Sequence, residues 1–362
     1  MVVSAPGKRH AGDEKVTDML LRWHALAVEN ACSGDSARAV GERCIEIRQR
    51  IACRYFEIVE DLGLQIDIGA EMAEIARQVA IGASVDYVAS RGEYLMAKIL
   101  AEALGFEFID PASCIRFNAD GSYAVGEELS RALDGKRAVV AGFYGSLPDG
   151  SIKTFPRGGS DITGALIAAA VGAKCCENWT DVSGLLMADP RIVANPKPID
   201  VVTYPELREL SYMGANVFHE EAMFPVWDAG IPTVIRNTNR PEEPGTRIIP
   251  ENGNAVLTGK ISGIAGRKGF TVITIGKRMM DQIIGFGRRV LSVVEDNKIS
   301  FEHMPGGIDT LSIIIDGKQL NGKTQKVVRE IKEPQITKYK KLKPRYNNST
   351  AARPCCYAQD FN

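Results

Sequence analysis

From residue 106 to residue 236 the chain switches repeatedly between two periods of apolar residues, and this switching constrains its fold more than any other feature. Short apolar runs at 106–109, 137–142, 175–180 and 232–236 read as strands. Between them, 162–171 is Ala-rich and helical, and 205–213 and 220–228 carry helical apolar spacing. Strands alternating with helices predict an α/β fold with a mostly parallel central sheet. Ahead of this region, residues 2–5 are strand-like up to the break at Pro6-Gly7, and helical patterns run over 16–30, 37–61 and 70–104, the last ending before Gly105.

The pattern changes after Arg247. Pro, Gly and Asn cluster at 249–254, a linker signal. Beyond it the chain reads strand (269–275), helix (284–297), strand (299–303), strand (310–315) and helix (320–331). That order is a ferredoxin-like α+β unit without its closing strand. The expected domains are therefore 1–247, a linker at 248–260, a second domain at 261–331, and a tail at 332–362. From Pro334 the tail sets Lys338, Lys340, Lys341, Lys343, Arg345 and Arg353 against the single acid Asp360, and a disordered, solvated segment is expected.

Charge and composition narrow the function classes. With 44 Lys+Arg against 45 Asp+Glu among 362 residues, the chain lacks the electrostatic footprint of a nucleic-acid binder. The longest uncharged apolar run, 162–173, falls short of the ~20 residues of a spanning helix, and residues 1–7 hold no signal-peptide core. No membrane partner and a cytoplasmic location are expected. The eight cysteines form no C-x-x-C pair and read as reduced thiols. The four histidines are far apart in sequence, so no protein-bound metal is expected.

Gly317-Lys-Gln-Leu-Asn-Gly-Lys-Thr324 fits the phosphate-binding pattern G-x-x-x-x-G-K-[ST], with a strand before it and a helix after it. A P-loop domain needs further parallel strands and a magnesium-holding acid after that loop. The basic, Pro-containing remainder offers neither, so the match reads as the start of an ordinary helix. The informative segment is Arg157-Gly-Gly-Ser-Asp161, a glycine-rich turn opening into the helix at 162–171. The N–H groups and dipole of a helix start favour an anion, and Arg157 adds bidentate reach for carboxylate or phosphate. Asp161 either holds an ammonium or caps the helix. Thr180-Asp181 follows a strand, at the carboxyl edge where α/β sheets bind ligands, and Asp189-Pro-Arg191 sets an acid and a base in a turn.

These segments, in order, resemble the aspartate kinases of the amino-acid kinase superfamily. The match runs through Arg157-Gly-Gly-Ser-Asp161, Trp179-Thr-Asp-Val-Ser-Gly184, Ala188-Asp-Pro-Arg191, Tyr212-Met-Gly-Ala215, His219, Ile235-Arg-Asn-Thr238 and Pro244-Gly-Thr246. Upstream it takes in Val3-Ser-Ala-Pro-Gly7, Thr17-Asp-Met-Leu20 and Ser90-Arg-Gly-Glu93. Downstream, 261–331 is similar to an ACT regulatory domain, including Gly285-Phe-Gly287 and Gly307-Ile-Asp-Thr310. The resemblance covers Val2 to Ile331. It implies a three-layer amino-acid kinase fold followed by an ACT domain. It also implies ATP-dependent phosphorylation of the L-aspartate β-carboxylate, the first step toward lysine, threonine and methionine.

The resemblance assigns roles residue by residue. Thr17, Glu93, Arg157, Gly159, Ser160 and Asp161 are implied to bind aspartate, with Arg157 on a carboxylate and Glu93 on the ammonium. Arg157 and Asp161 are the implied catalytic pair. Thr180, Asp181, Leu186 and Arg191 are implied to line the nucleotide site, where ATP carries Mg2+. Met280, Gly285, Phe286 and Glu302 are implied to bind a feedback amino acid, lysine or threonine, in a homodimer joined through ACT domains. An ionised carboxylate needs no general base, so positioning and charge neutralisation suffice and no catalytic His is required. The chain departs from the family pattern in four places. The usual Lys-Phe-Gly-Gly start is not found, Leu186 stands where many members have a stacking Tyr, Asn216 where many have Lys, and the tail from Pro334 lacks the apolar periodicity of the second ACT domain expected after Ile331. Without that first strand and lysine, activity of residues 1–362 alone is expected near background. The competing readings are a catalytically dead amino-acid-binding regulatory fragment of the same family, and a glutamate or N-acetylglutamate kinase, which the ACT-like unit argues against.

Overall fold

The computed structural model describes residues 1–32, 37–133, 135–156, 158–214, 218, 220–251, 261–333 and 345–346. The chain forms two compact units, 1–263 and 264–362.

In the first unit, helices Val16–Cys32, Ala37–Asp61, Ile68–Ala80 and Val85–Leu104 close around Leu20, Trp23, Ile51, Tyr55, Ile75 and Leu95. The single helix expected over 70–104 is two helices. Gly82 takes φ +88°, which a side chain rarely adopts, and the Ser84 hydroxyl accepts from the Tyr87 N–H to start the second. Gly105, in the left-handed region, ends it.

Strand Ala138–Ala141 is buried along its whole length and pairs in parallel with Val2–Val3 on one side and Glu107–Ile109 on the other. A run buried on both faces has no reason to alternate, which is why it reads as continuous apolar sequence. A second sheet runs in the order Cys176–Thr180, Thr233–Asn237, Thr246–Ile249, Val201–Thr203, with one antiparallel junction between the two middle strands. The domain boundary expected at Arg247 therefore falls inside a strand. A third sheet, of strands Ile115–Phe117, Tyr123–Val125, Tyr144–Ser146 and Ile152–Thr154, was not foreseen. Helix Gly159–Ala170 presses Ile162 and Ala165 into the core these sheets share with Leu207, Met223 and Val226. No helix among the described residues is long and apolar enough to cross a membrane.

In the second unit, Phe270–Gly276 and Thr310–Asp316 pair antiparallel under helices Phe286–Asp296 and Thr324–Ile331. The strand expected at 299–303 is instead an irregular edge segment, bridged to Thr310–Asp316 at His303 and Gly306. Residues Arg345–Tyr346 pair antiparallel with the free edge of Phe270–Gly276. The closing strand expected to be lacking is thus supplied, in its ferredoxin-like position, by two residues of the basic tail. The P-loop-like segment lies on this antiparallel sheet. Asp316 accepts from the Lys318 N–H, and Lys323 Nζ donates to the Asn297 carbonyl at 3.3 Å, so the segment is a capped helix start.

Candidate active site

Three chain segments converge because glycines let them. Gly142 follows strand Ala138–Ala141, and a Cβ there would lie 2.6 Å from Ser160 Oγ and 2.9 Å from the Val3 carbonyl. A Cβ on Gly159 would lie 2.6 Å from Phe143 Cδ2, and one on Gly92 would lie 2.8 Å from Ala5 Cβ. The end of the Val2–Val3 strand therefore runs between the helix bearing Glu93 and the helix that starts at Gly159. Val16 N–H reaches the Pro6 carbonyl at 3.4 Å, which brings the Thr17 helix start to the same place.

The start of helix Gly159–Ala170 is shaped for an anion. Gly158 takes φ +75° at its N-cap, and no side chain of the described residues caps that end. Phe143, at φ +82°, donates its N–H to Thr163 Oγ1 and accepts from the Phe155 N–H, fixing the turn behind it. Asp161, in the first turn, accepts from Asn178 Nδ2 at 2.8 Å. Arg157 lies outside the described residues, as do Asn216 and His219.

Glu93 is 5% exposed, and its Oε2 is buried with no hydrogen-bond partner among the described residues. Burial pushes its carboxyl up to about 7, against the pull of the Ala5 and Glu93 backbone N–H groups and the nearby Arg91 charge. A buried carboxyl with a spare oxygen can receive an ammonium group.

Thr180 ends strand Cys176–Thr180, and its carbonyl accepts from both the N–H and the hydroxyl of Thr238. Asp181 beside it is exposed and accepts from Thr180 Oγ1 at 3.3 Å. Asn237 Nδ2 donates to Ser183 Oγ at 2.8 Å, tying the next turn to the adjoining strand. Leu186 is 40% exposed and bridges to Pro198. Arg191 is turned onto Asp189 within its own turn, Nη2 to Oδ2 at 2.7 Å. The structure thus gathers Thr17, Glu93, Gly159, Ser160 and Asp161, and links Asp161 to the strand ending at Thr180. Leu186 and Arg191 sit on the loop after that strand, engaged with Pro198 and Asp189.

In the second unit, Gly285 opens helix Phe286–Asp296 at φ +73°, and Phe286 and Met280 pack into that unit's core. Glu302 is on the irregular edge segment, where Arg267 Nη2 approaches it at 3.2 Å. Asn178 was missed by sequence reasoning. Its signal was its spacing, two residues before Thr180 and therefore on the same strand face.

The amino acid kinase family matches residues 3–237. Aspartokinase 3 of Bacillus subtilis is 37% identical over 352 residues, covering 92% of this chain and 75% of its own length. The solved aspartate kinase of Clostridium acetobutylicum is 46% identical with a TM-score of 0.78, over 91% of this chain and 74% of that one. Escherichia coli aspartokinase III, solved with aspartate and ADP, shares the fold at 24% identity and a TM-score of 0.57, over 87% and 71% of the two chains.

Proposed function

The chain belongs to the amino acid kinase family, in its aspartokinase branch, and from that premise we propose that it transfers the γ-phosphoryl group of ATP to the β-carboxylate of L-aspartate. The observation that carries the reading is the helix start at Gly158, uncapped by any side chain of the described residues, with Asp161 hydrogen-bonded to the strand that ends at Thr180. The transferring group spreads negative charge over its oxygens, and unpaired N–H groups at a helix start meet that charge without reorganising.

Aspartate binds on the other side of that helix start. Glu93 takes the ammonium, Thr17 and Ser160 offer hydroxyls, Gly159 lets the backbone approach, and Arg157 takes a carboxylate. Thr180 and Asp181 hold the nucleotide, with Leu186 and Arg191 on the adjoining loop. Among the described residues no three His, Cys, Asp or Glu side chains converge to hold a metal. Mg2+ enters on the nucleotide phosphates, where it neutralises charge. ATP as donor makes the cytoplasm the expected compartment. The second unit serves as an ACT-like regulatory domain, expected over 261–331. It binds lysine or threonine through Met280, Gly285, Phe286 and Glu302 and joins two chains.

Hydroxamate formation tests the reading. The purified chain with ATP, Mg2+, L-aspartate and hydroxylamine should give aspartyl hydroxamate at the low rate expected without the Lys-Phe-Gly-Gly start, dependent on both substrates and absent with glutamate or N-acetylglutamate; turnover far above background would show that another group supplies the charge of that lysine. No product, together with heat on titrating lysine or threonine, would mark a regulatory amino-acid binder instead.

A further inference from the structure

Helix Gly159–Ala170 and strand Cys176–Thr180 carry the two halves of the site, and a side-chain hydrogen bond joins them. Asn178 Nδ2 donates to Asp161 Oδ1 at 2.8 Å. Strand alternation sets Asn178 on the face of Cys176 and Thr180, and sends Glu177 and Trp179 to the other. On that opposite face Trp179 Nε1 donates to Glu177 Oε2 and Arg236 lies over the indole, so those two residues are engaged away from Asp161. Asn178 is half-buried and held in register against Ile235 of the neighbouring strand, so its amide is presented from rigid backbone.

Asp161 is the third residue of its helix. An acid there reaches back toward the N-cap N–H when nothing else holds it, and it would then cover the anion-binding end of the helix. We propose that Asn178 is a positioning residue for phosphoryl transfer, holding the Asp161 carboxylate toward the strand so that the helix start stays open. The inference rests on the aspartate kinase reading above. Among the described residues the Cys176 thiol, pushed up to about 11 by burial, lies near enough to feel the Asp161 charge, and it is hydrogen-bonded to Thr233.

Hydroxamate formation by the whole chain is compared with that of Asn178→Leu and Asn178→Asp between pH 5.5 and 9, alongside thermal melts. Leu keeps the volume and removes the donor. Its kcat should fall about tenfold or more with KM for ATP nearly unchanged, as expected of a misaligned reacting group. Asp restores a donor only while protonated, and two carboxylates this close cannot both ionise freely. Activity of Asn178→Asp relative to the natural chain should therefore be best at low pH and decline as pH rises. An asparagine that merely packs the strand gives the same relative activity at every pH, and that result overturns the inference. So does an Asn178→Leu chain with unchanged kcat. If the Leu variant does not fold, the Asp profile decides alone. A natural chain that makes no hydroxamate overturns the kinase reading and the inference with it.

Discussion

Glu93 shows what a single buried group can do. Its carboxyl titrates near 7 in the folded chain, against 4.5 for an ordinary glutamate. Because the folded value is raised, the unfolded chain releases its proton first. The stabilising contribution is full below pH 4.5, falls as pH rises toward 7, and is flat beyond. Glu93→Gln keeps the shape and removes the ionisation, so its unfolding free energy relative to the natural chain should improve between pH 5 and 8. The expected gain is up to about 3 kcal/mol, from about 1.4 kcal/mol per pKa unit. Urea unfolding at the two pH values measures it, and a difference independent of pH would show a carboxylate already ionised. The same variant should raise KM for aspartate at least about tenfold, the cost of losing a charged hydrogen bond. Arg157→Ala should weaken aspartate binding by about 2–4 kcal/mol, read by titration calorimetry. Glu93 was legible as a residue in the Ser90-Arg-Gly-Glu93 match, but its burial was not. That burial comes from Ala5 and Leu20 packing on Gly92, contacts more than seventy positions apart in the chain.

At the scale of elements, long periodic segments were legible, as were the short apolar strands Val2–Val3 and Glu107–Ile109, but the strands of the third sheet were not. The helices at Ala37–Asp61, Tyr204–Tyr212 and Glu220–Asp228 and the strands Cys176–Thr180 and Thr233–Asn237 lie where apolar spacing puts them. Strands Ile115–Phe117, Tyr123–Val125, Tyr144–Ser146 and Ile152–Thr154 have three residues each. Three residues hold too few alternations to register as a period, and long-range pairing decides them. Thr246–Ile249 was hidden because its neighbour Gly245 sits in a stretch rich in Pro and Gly. That glycine is required: it takes φ +72°, and a Cβ would lie 1.8 Å from the Ile235 carbonyl. Gly245→Ala should therefore break the Thr233–Asn237 and Thr246–Ile249 pairing and cost roughly 2 kcal/mol or more, combining backbone strain with a lost close approach. Gly172→Ala, at φ +59° with nothing within 4 Å of its Cβ, should cost only the strain of about 1 kcal/mol. Thermal melts of the pair separate contact from conformation. Equal losses would mean that the carbonyl yields.

At the scale of the whole molecule, the chain consists of two units, each with its own apolar core. The apolar residues of 264–333 close on themselves around Ile273, Val290, Ile313 and Val327. A unit with its own core can change its internal state without unfolding the kinase unit, which is the minimum an effector domain needs. Gly285, at φ +73°, and Met279, at φ +57°, place two left-handed residues on either side of the 3-10 turn Met280–Gln282. Asp309 fastens that turn, its Oδ1 accepting from the Met279 N–H at 2.7 Å and its carbonyl from the Lys277 N–H at 2.8 Å. A feedback amino acid bound beside Gly285 and Phe286 would act on this loop. Coupling between two sites is reciprocal in binding free energy. If lysine or threonine weakens aspartate binding by some factor, aspartate must weaken binding of that effector by the same factor. Titration calorimetry of each ligand, with and without a saturating amount of the other, should return equal ratios, on the order of 5–150-fold for a typical coupling of 1–3 kcal/mol. Asp309→Ala, which frees the loop, should shrink both ratios together while leaving aspartate affinity without effector unchanged. Unequal ratios would show that the effector competes at a second place on the chain, and equal ratios untouched by Asp309→Ala would place its site away from this loop.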